Sequence, residues 1–107
     1  MDTRAKIVEA TAVKPGMRVV SGYFDPLLAD DAQELAALAE DGVELAVVIL
    51  DPPNPILAAR ARAELVAALG CVGAVVTGTG IEPEIHLEAG HARRGVAFAE
   101  HVRERQR

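Results

Sequence analysis

The chain has 107 residues, half of them apolar, and a net charge of −5 at neutral pH. That length makes one domain, residues 1–107, with a modest core, and the acidic balance argues against nucleic acid as a partner. No apolar run reaches the roughly 20 residues that span a bilayer, the opening Met1-Asp-Thr-Arg-Ala-Lys6 has no apolar stretch behind it to make a signal peptide, and a single cysteine, Cys71, excludes an internal disulfide or a cysteine zinc site, so a cytoplasmic domain without a membrane partner is expected.

Residues 3–14 are ambiguous: Ala5–Ala10 reads as a short helix, or Ile7-Val8 as an edge strand. Pro15-Gly16 is a turn signal. Met17–Ser21, with β-branched Val19 and Val20, reads as a short buried strand. Asp30 or Asp31 is the expected N-cap of a helix to about Asp41, because a carboxylate accepts the orphan amide hydrogens of a first turn. Its buried stripe would be Ala32, Leu35, Ala36 and Ala39, and Gly42 suits the left-handed residue that ends a helix.

Val43–Leu50 is apolar almost throughout, the pattern of a strand buried on both faces of a parallel sheet. Pro52, Pro53 and Pro55 break it into a rigid loop. A second helix is expected over 56–69, with Leu57, Ala61, Leu65, Ala68 and Leu69 inward and an Arg60–Glu64 pair outside. Gly70 ends it. Val72–Val76 is a third strand, Thr77-Gly-Thr-Gly80 a loop, and residues 81–87 are extended around Pro83. A last helix is expected over 89–105 with Ala92, Val96, Ala99 and Val102 inward, weakened by Gly90 and Gly95 by about 1 kcal/mol each. Strand and helix alternate, which predicts an α/β fold: a small open parallel sheet of three to five strands with helices on both faces and right-handed crossovers. Ligands of such sheets sit at the carboxyl ends of the strands. Those ends are Ser21-Gly22-Tyr23, Asp51-Pro52-Pro53 and Thr77-Gly78.

Charge is unevenly spread. Residues 25–51 hold eight acidic side chains and no lysine or arginine, whereas residues 91–107 hold five arginines against two glutamates. The two segments could attract one another, within a monomer or between subunits, or stand as solvated faces. The acidic run argues against an anionic substrate at the helix start near Asp30.

Gly22-Tyr-Phe-Asp-Pro-Leu27 resembles the Gly-x-Phe-Asp-x-Leu motif of the cytidylyltransferase-like nucleotidyltransferases, in which His-x-Gly-His follows. The nearest patterns are the heptose-phosphate adenylyltransferase domain and the glycerol-phosphate cytidylyltransferases. Two later segments resemble the same family: the strand Glu44-Leu-Ala-Val-Val-Ile-Leu-Asp51, and the arginine-led helix and strand from Arg62 to Val76. Together they span roughly residues 17–77. The resemblance implies a Rossmann-like fold of nucleotidyltransferase type. It also implies a pocket for a nucleotide or a sugar phosphate formed by Ser21, Gly22, Tyr23, Phe24, Asp25, Asp51 and Arg62.

The departures bear on chemistry. Leu28 and Asp31 stand where the family has its two histidines, and Asp30 stands where it has glycine. Nucleotidyl transfer depends on positioning and on donors to the phosphate oxygens as charge develops. Loss of one such donor costs about 3–4 kcal/mol, and here two are lost with the sign of charge reversed. No later Ser/Thr-rich motif with a basic residue matches, and Thr77-Gly-Thr-Gly80 lacks the lysine of a P-loop. The expectation is therefore a catalytically degenerate domain, a pseudoenzyme with no catalytic residue. It would act as a binding or interaction module, with a homodimer in view and no cofactor. Alternatives are an active transferase moving AMP or CMP to a sugar or polyol phosphate with Mg2+, or a structural partner subunit whose pocket is filled. His86, His91 and His101 lack the spacing of a helical metal pair, Asp30-Asp31 reads as a helix cap before it reads as a metal site, and Cys71 reads as a buried, inert thiol.

Overall fold

The computed structural model describes residues 2–78 and 80–94. Four strands, β1 (Arg18–Gly22), β2 (Leu45–Ile49), β3 (Val72–Thr77) and β4 (Ile85–His86), form one all-parallel sheet in the order β3-β2-β1-β4. The molecule is an α/β fold with a small open sheet, and the four strands fall within the three to five that the alternating pattern predicts. All five residues of β2 are buried, as a central parallel strand requires. Two α-helices, α1 (Ala29–Leu38) and α2 (Ala59–Ala67), connect β1 to β2 and β2 to β3. A third helix occupies residues 88–94; the rest of the helix expected over 89–105 lies outside the described residues. None of the described helices is long and apolar enough to cross a membrane.

Alternation along the strands makes two cores. On the first face, Val20, Val47, Ile49 and Val75 pack with Phe24, Leu35, Ala63 and Val66, so α1 and α2 both lie there. On the second face, Val19, Ala46, Val48 and Ala74 are covered by Val8, Val13, Met17, Leu50 and Ile81. Among the described residues the helical cover is unequal: on the second face it is the 3-10 turn Ala10–Ala12, flanked by Val8 and Val13. The chain steps from β1 to β3 with its helices on the first face, then returns to the far side of β1 through residues 78–84, where Ile81 packs on the second face. Reversing direction and face together keeps the crossovers right-handed. In the amino-terminal arm the edge-strand reading of Ile7-Val8 holds and the Ala5–Ala10 helix is corrected to two short 3-10 turns on either side of it, Thr3–Lys6 and Ala10–Ala12. A 3-10 helix covers Thr3–Lys6, and Ile7 then forms a parallel bridge to Val75.

Three helix readings are corrected. The N-cap of α1 is Leu28, not Asp30 or Asp31, and Asp31 sits three residues in, where its carboxylate accepts the Leu28 N–H at 2.9 Å. The residues that α1 buries are Asp31 and Leu35, with Ala36 exposed. In α2 the inward residues are Arg62, Ala63, Val66 and Ala67, while Leu65 is 46% exposed. In the third helix His91 is buried and Ala92 exposed. Leu35 and Ala39 of α1 pack in the core as expected, whereas the stripes of α2 and the third helix are rotated, and in all three helices a polar side chain faces inward onto hydrogen-bonding partners. Gly42 does adopt the left-handed conformation, φ 75°, behind α1, and Arg60 pairs with Glu64 at 3.4 Å.

Candidate functional site

β1 lies where the strand order reverses: the chain runs from β1 outward through β2 to β3, then crosses back to place β4 on the other side of β1. The crevice at its carboxyl end, between β1 and β4, is the switch point where open parallel sheets hold ligands. Its two sides, one on each face of the sheet, differ in content.

On the first face the space is filled. Gly22 ends β1 against the His91 ring: a Cβ there would lie 2.4 Å from His91 Cε1 and 2.7 Å from Phe24 Cε2. Phe24 meets the same imidazole edge-on, ring centroids 4.3 Å apart. It does so from a left-handed backbone, φ 48°, a conformation that costs a non-glycine residue about 1–3 kcal/mol unless neighbours hold it. The neighbour is His91, whose Nδ1 accepts the Tyr23 N–H at 3.0 Å and the Phe24 N–H at 3.4 Å. A few residues on, the Asp25 carboxylate accepts the amides of Ile56 and Leu57 at 2.7 and 2.8 Å and fixes the proline loop that enters α2.

Arg62 reaches from α2 into the same region and is 1% exposed. Its guanidinium donates to the carbonyls of Leu57 (3.0 Å), Tyr23 (3.1 Å) and Leu50 (2.8 Å) and pairs with the Asp51 carboxylate. Planar, fork-shaped donors suit such a junction. One side chain thus ties the ends of β1 and β2 to α2 and occupies the gap between Gly22 and Asp51.

Nearby, buried Asp31 anchors a charge cluster whose other ionic members, Glu34 and Arg94, are partly exposed. Arg94 donates from Nε to Asp31 Oδ1 at 2.7 Å and from Nη2 to Glu34 Oε1 at 2.9 Å, so the arginine-rich end of the chain does meet the acidic segment within the monomer. Burial alone would lower the Arg94 pKa, but the two carboxylates raise it. His91 is pushed the other way: burial, and secondarily Arg94, hold it below the ordinary histidine range against the pull of Asp31. Because Nδ1 of His91 accepts backbone N–H groups, the neutral ring carries its hydrogen on Nε2. That nitrogen is buried without a hydrogen-bond partner, 3.6 Å from Asp31 Oδ1 and 3.9 Å from Glu34 Oε1. Asp31, Glu34 and His91 place three donor atoms within 4.8 Å of one another, but they do not fit a metal. The His91 lone pair is spent on the turn, and the guanidinium of Arg94 already spans both carboxylates.

On the second face the space is open. Ser21 is fully buried and faces β4, where its Oγ lies 3.1 Å from His86 Nδ1 and donates to the Glu88 carboxylate. Beyond His86 is a cleft of about 510 Å3. Val48, Leu50 and Ile81 form its apolar wall, Gly78 and Gly80 one edge, and Glu82 and His86 its rim. No family model, curated protein or solved structure matches the chain. The family resemblance therefore rests on the motifs of residues 17–77.

Of the seven residues singled out from sequence, Tyr23, Asp51 and Arg62 come together in one hydrogen-bonded junction. Gly22 and Phe24 join through His91. Asp25 is turned to the proline loop and Ser21 to the opposite face. Sequence reasoning missed His86, Glu88, His91 and Arg94 as members of the site. They approach Ser21, Tyr23 and Asp31 across separations of more than 60 residues, and the only local signal was their position within or just after the extended run of residues 81–87.

Proposed function

We propose that this domain is a catalytically degenerate, nucleotidyltransferase-like module that binds a small ligand and transfers nothing. The observation that carries the reading is the state of the α1 start. Leu28 offers no donor there, Asp31 presents a carboxylate locked to Arg94, and Arg62 is consumed by three carbonyls and Asp51. Transfer chemistry needs donors preorganised for developing negative charge, and this set has none free. Incubation with ATP or CTP, Mg2+ and sugar or polyol phosphates tests it. Pyrophosphate release stays at the level of a protein-free blank, whereas release that depends on Phe24 and Arg62 overturns the reading. Thermal shifts with the same compounds report whether a nucleotide or sugar phosphate binds without reacting, since a ligand that binds only the native state stabilises it. A cytoplasmic location belongs to this proposal and is checked by fractionation.

One observation favours a second reading, a structural partner subunit: the gap between Gly22 and Asp51 is occupied by Arg62 instead of standing open. That reading includes a homodimer and predicts no small-molecule stabilisation, with a concentration-dependent sedimentation coefficient.

A further inference from the structure

We infer that the second-face cleft is a binding site for a small primary amine with an apolar body. This rests on the reading of the domain as a ligand-binding module and supplies the chemical class of its ligand. Four observations carry it. The first is place: the cleft follows the carboxyl ends of β2, β3 and β4, beside the switch point at β1. The second is form. At about 510 Å3 it falls within the roughly 300–1,000 Å3 of pockets that hold small ligands. Val48 and Ile81 give it an aliphatic floor, and glycine backbone at 78 and 80 lets a flat group approach closely.

The third observation is the hydrogen-bonding sense of the rim. A carboxylate only accepts, so the single hydroxyl hydrogen of Ser21 goes to Glu88, and Ser21 Oγ must accept from His86 Nδ1. The neutral His86 ring therefore carries its hydrogen on Nδ1 and keeps a lone pair on Nε2. Buried Ser21, with the half-buried Glu88, sets that orientation while His86 itself remains exposed. The fourth is charge. Glu82 is the charged residue among the described lining, which contains no lysine or arginine. Glu82 and His86 Nε2 are both acceptors. A phosphate or carboxylate would find no donor side chain and a like charge. An ammonium group supplies three N–H donors and the complementary sign.

Benzylamine, benzyl alcohol and benzoate, of similar shape and different charge, are titrated into the full chain at about pH 7.5, where an alkylamine is cationic and a carboxylate anionic, with backbone amide NMR as readout. Benzylamine saturates at millimolar concentration and moves the amides of residues 48–50 and 81–87, benzyl alcohol binds more weakly at the same residues, and benzoate binds weakest. Glu82→Gln and His86→Phe each weaken benzylamine about three- to fivefold, the worth of one solvent-exposed charged contact, and leave benzyl alcohol unchanged. Both positions are exposed, and the same spectra confirm that each variant is folded. Benzoate binding as tightly as benzylamine at these residues, or benzylamine indifferent to both substitutions, overturns the amine assignment and leaves a ligand-binding module standing. Saturable shifts confined to residues 22–25 and 62 overturn the location. Failure of the non-catalytic reading shows separately, as pyrophosphate release.

Discussion

The two sides of the β1 carboxyl end are built from neighbouring residues of one strand, yet they behave as opposites. Gly22 points to a face where Phe24, Arg62, His91 and Asp31 leave no space and almost no unspent hydrogen bond. Ser21 points to a face where an oriented histidine looks onto an open cleft. The comparison teaches that residues which look like a ligand site in sequence can be the scaffold. Arg62 and Asp25 have the chemistry of ligand-binding groups, but their partners are the protein's own backbone.

If that contrast is right, the filled side is where substitutions cost most. Arg62→Ala leaves three carbonyls without their donor, and at about 1–3 kcal/mol for each group that stays unsatisfied we expect a loss of about 3–5 kcal/mol. Most of it comes from the carbonyls, since Asp51 is 70% exposed and its share is screened. Chemical denaturation measures the loss, and a loss below about 1 kcal/mol would make Arg62 available for a ligand. Gly22→Ala is next. Its methyl collides with His91 and Phe24, and overpacking of this kind costs about 1–3 kcal/mol.

Acid is the third probe. His91 has its folded-state pKa lowered by burial, so the unfolded chain takes up the proton first. Its contribution is complete above the ordinary value near 6.5 and is lost as pH falls from there through the folded pKa. Urea midpoints measured at about pH 7.5 and pH 5.5 should show this as a decline, and His91→Gln should flatten it. The Asp31, Glu34 and Glu88 carboxylates attract the proton and Arg94 repels it, so the decline is gradual. The smallest effect belongs to the open side. Val48→Ile adds one carbon beside the cleft, as Gly22→Ala does on the filled face, and should change stability by less than about 1 kcal/mol. Equal costs for the two would erase the distinction between the faces.

The strands were legible because continuous apolar runs such as Val72–Val76 have one economical explanation, burial in a parallel sheet. β4 was not. Two residues long, it has no run to read and exists through its pairing of Val20 with Ile85 and of Ser21 with His86. The helices were legible in existence, and α1 in the inward turn of Leu35 and Ala39, but α2 and the third helix were misread in rotation. Periodicity assigns polar residues to the outside, so it could not place the inward Asp31, Arg62 and His91. Those three buried polar groups are also what made the filled side invisible. Their partners are backbone carbonyls and amides and the side chains of Asp51 and Arg94, and of these only the opposite charges of the acidic and arginine-rich segments left a mark in composition.

The single bridge between Ile7 and Val75 has a consequence for behaviour in a crowded solution. The outer rim of β3 would otherwise present a row of unpaired amides and carbonyls, a template on which a second molecule can add its own strand. The arm blunts that template with one ladder contact, the Val8 amide on the Val75 carbonyl at 2.9 Å, and then turns away to shelter the second face. The arm therefore leaves fewer free ladder groups on that rim for a second molecule to pair with.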